Sequence, residues 1–520
     1  MRTRAIEPCA CIGLCQMARR KISRVFCSGR LLGRTHLLRF QTARNCVTAT
    51  TANILLEVDR DMQVVCFATA HGGTGHLVQE SLQLFAEDPV VVRLRGLSPL
   101  STYSITWSPN LLFNTQGSSS TMTMPRKCVV RTLPEDKDFQ HLQLIAVSCN
   151  RLSENLRGDE VQRESLWSQI SKICQSGHCD VLLHLGDQVY TRDNPAWKGE
   201  AEALCERAAL MTPGDDERQS LELEAARCLQ QAYRQTWTYP LTAVALANTA
   251  NLMQWSDNDV LNDFNTSDYR TYQPALVQRA MGVYRMYQRQ LWDVSYGQGD
   301  PPAETTPVEE WHFHRLGSVG IFMFDLRGNR INADGTRRSA SLLSDKQKKA
   351  VEEIFHRPEL RCIILCSELP YVWERPEIIR SKAARLGFLK DHWPYNLSEL
   401  TWLLDLCFEW KAASSKRDVL LLGGDLHVSV YSVIYDEATG SVIRSVTTSP
   451  VANHVSRFYA SLEGRISDRY SYRHEPLPES KTFCKIEIAL SDVSCDVKAE
   501  LVSQIAVKQS GPFRRLNTWN

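Results

Sequence analysis

Short apolar runs that end in polar residues recur along this chain, and stretches of helical spacing separate them. HLQLIAVSC at 141–149 reads as a strand, and Val161, Leu166, Ile170 and Ile173 then repeat at helical spacing over 160–176. DVLLHLGD, SVGIFMFDLR, RCIILCSELP and DVLLLGGDLH, which begin at 180, 318, 361 and 418, are further strand-like runs. An apolar run bounded by turn residues reads as a strand buried on both faces. The stretch 198–253 is charged and mostly helical in pattern, with breaks at Pro213-Gly214-Asp215-Asp216 and at Pro240; helices are also predicted over 276–292 and 399–414. Strands alternating with helices predict an α/β fold. After residue 430 the pattern returns to strands, in SVYSVIYD, SVIRSVTTS, TFCKIEIAL and CDVKAELV.

The region before this differs. NILLEVDRDMQVVCFATA and PVVVRLRGLSPLSTYSITW alternate and are rich in β-branched and aromatic residues, which predicts an all-β region. GLSPLSTYSITW resembles the Leu-Xaa-Pro and tyrosine corner of fibronectin type III sandwiches, and KCVVRTLPEDKDF closes the region as a strand and a polar hinge. The expected organisation is therefore a leader over 1–50, a small β-sandwich domain over 51–137 and an α/β domain over 138–520. The leader is rich in arginine and carries one acid, Glu7. It reads either as a targeting segment, to an organelle or for secretion, or as an untargeted leader of a cytoplasmic protein.

Composition narrows the chemistry without choosing it. The 520 residues are 43% hydrophobic and 23% charged, and the formal net charge is +1. That charge gives no strong nucleic-acid signal, and no apolar stretch reaches the roughly 20 residues of a transmembrane helix. The 17 cysteines are scattered, without the paired spacing of a zinc site, and read as buried free thiols. Oligomeric state is not encoded in any pattern found.

Five strand ends carry polar groups. They are Ser148-Cys149-Asn150, Gly186-Asp187-Gln188-Val189-Tyr190, Ser256-Asp257-Asn258-Asp259, Asp325-Leu326-Arg327 and Gly424-Asp425-Leu426-His427. Ligands of open α/β sheets gather beyond the carboxyl ends of strands. Oxygen donors suit hard cations, whereas thiolate, phenolate and imidazole suit iron or zinc, so the mixed set points to more than one metal. Two metals close together suit hydrolysis at phosphorus. Each group also has a plainer reading. A strand-end Asp caps a turn, Cys149 is a buried thiol, and Asp325 with Arg327 is a surface ion pair. His184, inside an apolar run, reads as a core residue, and His454 as a late-loop residue able to reach the site.

In the motifs GDQVY, SCN, WSDNDV, FDLRGNR, SELP, DHWPYNLSE and GGDLHVS, and in their order, the chain resembles the alkaline phosphatase D (PhoD-like) family of metallophosphoesterases. The resemblance covers about residues 51–455. It implies a two-sheet metallophosphatase sandwich flanked by helices and preceded by a small all-β domain of the immunoglobulin or fibronectin III type. It further implies hydrolysis of small phosphate esters, monoesters and/or diesters, by metal-activated hydroxide. The implied metals are Fe3+ and Ca2+, with Zn2+ or Mn2+ as alternatives. Carried over by position, Cys149 and Tyr190 bind ferric iron and Asp187 bridges the metals. Asp425, Asn262 and His427 complete the metal set. Asp187, Asp257, Asn258, Arg327 and His427 are the implied catalytic residues, with Arg327 as a contact to phosphate.

One departure matters. Where the family reads WDDHE or WDDHD, this chain reads Trp255-Ser256-Asp257-Asn258-Asp259. Asn258 donates a hydrogen bond but transfers no proton near neutral pH, and losing a general acid costs on the order of 10²–10⁴ in rate. Asp259, His392 and His427 are the nearby groups available in its place. The second reading is a catalytically impaired member of the fold with a binding or regulatory role.

Overall fold

The computed structural model describes residues 38–42, 47–58, 60–72, 76–108, 128–151, 165–193, 195–260, 274–293, 296, 309–328, 341–383, 385–456, 461–476, 480–503 and 515–516. The first seven strands are β1 (Leu38–Thr42), β2 (Thr51–Glu57), β3 (Met62–Ala70), β4 (Leu77–Leu84), β5 (Val90–Arg95), β6 (Thr102–Ser108) and β7 (Cys128–Arg131). Then come β8 (His141–Val147), α1 (Leu166–Ser176), β9 (Val181–Leu185), α2 (Pro195–Ala209), α3 (Asp216–Trp237), α4 (Pro240–Asn248) and β10 (Ala250–Gln254). A four-residue turn of helix, α5 (Asp257–Val260), precedes α6 (Pro274–Tyr284), which runs through a π turn at Arg285–Arg289. Next are β11 (His312–Leu316), β12 (Val319–Met323), α7 (Asp345–Phe355), β13 (Cys362–Cys366), α8 (Pro376–Ala383), α9 (Leu397–Ala412) and β14 (Asp418–Gly423). The remaining strands are β15 (Val430–Asp436), β16 (Val442–Thr447), β17 (Glu463–Arg465), β18 (Tyr470–Pro476), β19 (Thr482–Leu490), β20 (Cys495–Ser503) and β21 (Arg515–Leu516).

The helix boundaries follow local chemistry. Asp215 accepts from the Glu217 amide at 3.1 Å and starts α3 at the predicted Pro-Gly-Asp-Asp break, and Pro240 opens α4. Gly177, at φ 82°, closes α1 in the left-handed conformation. The pattern did not reveal β11, β17, β18, β21, α7 and α8. In β11 the core-facing positions hold His312 and His314, so a polar residue type hides a buried face.

Two large sheets face one another. One has nine strands in the order β21-β20-β19-β8-β9-β10-β1-β2-β5, and the other has eight, β11-β12-β13-β14-β16-β15-β18-β17. β8, β9 and β10 are parallel, as are β12, β13, β14 and β16. Leu144, Leu183 and Leu185 from the first sheet share one apolar core with Ile321, Ile364, Leu420 and Leu422 from the second. The outer faces are covered as well. Trp167 and Ile170 of α1 lie on Ile145 and Leu182, and Leu403 and Phe408 of α9 belong to the cluster of Ile363 and Leu421. Burial on both faces is why β9 and β14 read as continuous apolar runs rather than alternating ones. His184 sits inside β9, and its Nε2 meets Asn251 Oδ1 at 3.1 Å; burial pushes its imidazole down to about 4.

The region 51–137 divides. β3, β4, β6 and β7 form a separate four-stranded sheet, whereas β2 and β5 extend the nine-stranded sheet through β1. Its buried residues, such as Val64, Tyr103 and Ile105, belong to the same core as both large sheets. The Tyr103 hydroxyl accepts from the Ser98 amide at 2.7 Å, which fixes the corner into β6. β1 lies inside the stretch expected as a leader. The described cysteines are free thiols, and no described helix is long and apolar enough to cross a membrane.

Candidate metal centre

The strand ends predicted to carry chemistry converge, because the parallel strands of both sheets finish at the same edge of the sandwich. β8 ends in Ser148-Cys149, β9 in Gly186-Asp187, β10 in Ser256-Asp257 and β14 in Gly424-Asp425. The loop after β16 crosses back to the first sheet, where Val451 N donates to Ser148 O at 2.9 Å and Arg151 N to Ala452 O at 2.8 Å. Four residues here hold positive φ without being glycine: Cys149 at 56°, Asp187 at 56°, Asp425 at 68° and His427 at 55°. Such backbone costs free energy and persists where the surroundings over-determine it, as at ligand sites. Gly186 adopts φ 85°, and a Cβ on it would meet Ser256 Cβ at 2.7 Å. Gly424 is needed for a different reason: a Cβ there would lie 2.8 Å from both Leu185 O and Ser148 Cβ, so the two sheets could not close.

Asp187 is the centre of the group. Tyr190 Oη donates to its Oδ2 at 2.7 Å, Asn258 Nδ2 donates to the same oxygen at 3.3 Å, and Cys149 Sγ lies 3.5 Å from it. Its Oδ1 is buried with no hydrogen-bond partner. Ligand atoms of Cys149, Asp187 and His427 all lie within 4.8 Å of one another, and so do those of Asp187, Asp257 and Asp425. An orphaned carboxylate oxygen between two such triads fits cations with Asp187 shared between them. Asn262 lies outside the described residues.

Electrostatics agrees with the geometry. Burial, then the Asp257 charge, pushes Asp187 up to about 6. Burial, then Asp187, holds Asp425 well above the usual carboxylate range, and burial with the Asp187 and Asp425 charges does the same to the Cys149 thiol. Acids that repel one another in a dry site are stabilised when a cation joins them. Ser449 Oγ steadies one side: it donates to Cys149 Sγ at 3.1 Å and accepts from His427 N at 3.1 Å. His427 Nε2 lies 3.4 Å from Tyr190 Oη and 3.0 Å from Asn453 Nδ2.

Arg327 stands on the other side. Its Nε donates to both oxygens of Glu368 at 2.8 Å, and an Nη lies 3.4 Å from Asp257 Oδ1. Ser256 Oγ bonds Asp257 Oδ1 at 3.0 Å. Burial pushes Glu368 up to about 7 against the pull of Arg327. Asn258 Nδ2 also reaches Asp257 Oδ2 at 3.5 Å.

Two polar strand-end residues serve the backbone instead. Asp259 accepts from the amides of Asp187, Gln188, Val189 and Ser256 at 2.8–3.2 Å, so it shapes the loop and does not stand in for a missing proton donor. Asp325, read as one half of a surface ion pair, is buried and accepts from Trp255 Nε1 and from the amides of Arg327 and Gly328. His392 is buried with its ring against Trp373. His454 does reach the site, with its ring edge-on to His427 at 4.6 Å. Glu368, Ser449 and Asn453 were not singled out from sequence; Glu368 was inside the SELP motif, while Ser449 and Asn453 carried no signal of their own.

A family model described as PhoD-like phosphatase matches residues 144–479. The chain belongs to the PhoD-like phosphatase family. A solved structure described as "Structure of PhoD" aligns over 93% of this chain and 92% of that chain, at 11% identity and a TM-score of 0.56. At that identity the likeness is one of fold, a mixed α/β architecture of several sheets and helices. A Paenibacillus cycloisomaltooligosaccharide glucanotransferase aligns over 91% of this chain and 72% of that one, but at 10% identity and a TM-score of 0.18, which carries no argument. No curated protein matches the chain. Membership makes this chain a phosphatase-type hydrolase of a metal-dependent family, with residue groups suited to hold metal.

Proposed function

We propose that this chain hydrolyses small phosphate esters, monoesters and/or diesters, at a centre of more than one cation. Cys149, Tyr190 and His427 hold a metal that favours soft and aromatic donors, Fe3+ foremost and Zn2+ or Mn2+ as alternatives. Asp425 and Asp257 hold a harder cation, Ca2+ foremost. Asp187 is shared. When bound, the cations polarise the phosphoryl group and acidify water. The observation that carries this reading is the Asp187 carboxylate, with one oxygen tied to Tyr190 and Asn258 and the other buried without a partner.

The chain's own side chains divide the remaining work. Arg327 pairs with Asp257 and Glu368 and sets the charge balance on the carboxylate side. Asn258 orients Asp187 and Asp257 and transfers no proton. Departure of the leaving group therefore depends on the leaving group's own acidity, and esters with acidic leaving groups are the better substrates.

The second reading, a binding or regulatory protein disabled in turnover, is favoured by Asn258 itself. Hydrolysis of a chromogenic phosphomonoester and a phosphodiester across Fe, Ca, Mn and Zn separates the two. Metal-dependent phosphate release that falls by roughly 10³-fold or more in Asp187→Asn, with the fold intact by circular dichroism, is expected. Folded, metal-loaded protein without turnover on either ester would move the assignment to the binding protein.

A further inference from the structure

Among the described residues, two arginines stand at this centre, and they are held differently. Arg327 is buried between Glu368 and Asp257. Arg151 follows Cys149-Asn150, keeps 24% of its side chain exposed, and meets one carboxylate, that of Asp193, at 2.5 Å through Nε. Among the described residues, nothing takes its terminal nitrogens. Its guanidinium carbon lies 5.7 Å from the centre of the Tyr190 ring. The neighbouring wall repeats the arrangement. His454 is exposed, its Nδ1 lies 3.0 Å from Asn453 Oδ1, and its ring meets that of His427. Tyr190 and His427 touch at 3.4 Å, so Arg151 and His454 flank one continuous edge of the centre. Backbone fixes both, through Arg151 N on Ala452 O at 2.8 Å and His454 N on Asn453 Oδ1 at 2.8 Å. Neither belongs to the groups that would hold a metal.

We propose that Arg151 and His454 form an anion-recognition rim on the Tyr190–His427 side, taking a second anionic group of the substrate. The preferred substrate class is then an organic phosphate that carries another phosphate beyond the one that reacts. This rests on the phosphoesterase reading above. The chemistry is that of a guanidinium fork whose Nε is anchored by Asp193 and whose outer nitrogens take no partner among the described residues; a planar, always-charged fork matches phosphate oxygens in a way a buried, doubly paired arginine does not. The imidazole adds a flat surface beside it, and in its protonated form a donor at Nε2, since Nδ1 donates to Asn453 Oδ1.

The test uses the full, metal-loaded chain and a matched pair of esters, fructose 6-phosphate and fructose 1,6-bisphosphate, with phosphate release as the kinetic readout. Binding of methylenebisphosphonate and of methylphosphonate is measured beside it by calorimetry. In wild type, KM for the bisphosphate is lower than for the monophosphate. Arg151→Ala raises KM for the bisphosphate by roughly tenfold or more, leaves its kcat and the monophosphate KM nearly unchanged, and weakens methylenebisphosphonate alone. Arg151→Lys restores part of the loss, and His454→Ala gives a smaller change of the same kind. Equal changes for both esters in Arg151→Ala, or none, would overturn the rim while leaving the phosphoesterase reading standing. Arg151-dependent binding of methylenebisphosphonate without turnover of either ester would sustain the rim and remove the catalytic reading. No binding of methylenebisphosphonate, or binding indifferent to Arg151, would overturn the rim whatever the turnover.

Discussion

On the Cys149–Tyr190–His427 side of the centre, the donors are a thiol, a phenol and an imidazole, tied together by Ser449 and Asn453 and bordered by the half-buried Arg151 and the exposed His454. On the Asp257–Asp425 side the donors are carboxylates, and a buried arginine, Arg327, answers their charge together with that of Glu368. On the first side, burial holds the Cys149 thiol and the Tyr190 phenol in their protonated forms. On the second, buried carboxylates crowd one another, burial raises Asp425, and Arg327 offsets part of the charge within the fold. Asp187 belongs to both groups and has an oxygen to spare. The contrast separates two kinds of dependence. One side answers to metal identity and substrate, and the other to the stability of the fold.

The largest expected break of this contrast is Arg327→Met. It leaves the Glu368 and Asp257 carboxylates buried without the guanidinium that pairs them, and loss of one partner of a buried ion pair costs about 3 kcal/mol. Denaturant unfolding of wild type and variant measures it, whereas Ser449→Ala on the opposite side should cost only about 1 kcal/mol.

Next in size is the response to pH after chelation. Burial raises the folded-state pKa of Asp187 to about 6 and of Glu368 to about 7, and raises that of Asp425. For a carboxylate raised in the folded state, the folded protein binds more protons than the unfolded one between the two pKa values. The stability it contributes is complete below about pH 4 and is lost as pH rises through 6 to 7. Thermal melts of chelated protein should therefore fall across pH 4–7 relative to metal-loaded protein, whose cations offset the charge. A chelated protein that gains stability over that window, relative to the loaded one, would contradict the charge arrangement.

Asn258→His sharpens the contrast on the catalytic side. Adding a proton donor beside Asp187 should raise turnover of an alkyl phosphate on the order of 10²-fold while changing an aryl phosphate with an acidic leaving group far less. Steady-state kinetics on the two esters reads the ratio. The smallest effect is expected for Ser449→Ala, which removes the hydrogen bond to Cys149 Sγ and the acceptor for His427 N. Loss of such outer support lowers metal affinity about tenfold, and competition with a chelator measures it.

What could be read ahead of the structure follows the same division. β9 and β14 were visible because burial on both faces makes an unbroken apolar run, and the Gly-Asp pair marks where each run ends. The break between α2 and α3 was visible because Pro213 and Gly214 interrupt a helical pattern and Asp215 caps the next helix. The meeting of Cys149, Asp187, Asp257, Asp425 and His427 followed from placing every polar group at the carboxyl end of a strand. Other features depended on contacts between residues far apart in the chain. Glu368 looks like any strand-end acid until Arg327 is seen against it, and Ser449 has no pattern at all. Asp259 and Asp325 carried the same local signal as Asp187 and Asp425. Backbone amides pointed at their oxygens give them a different role, and no spacing rule encodes that. The sheet that joins β2 and β5 to β10 through β1 was hidden for a related reason, since strand pairing between distant segments leaves no periodic mark.

The most direct test of the centre is elemental analysis of the purified, reconstituted chain beside Asp187→Asn, both passed through a desalting column. The geometry predicts more than one equivalent of tightly held metal in the wild type and loss of bound metal from both sides in the variant, because one carboxylate serves both. A wild type that retains no metal, or an Asp187→Asn protein that retains as much as the wild type, would contradict a metal centre built on Asp187.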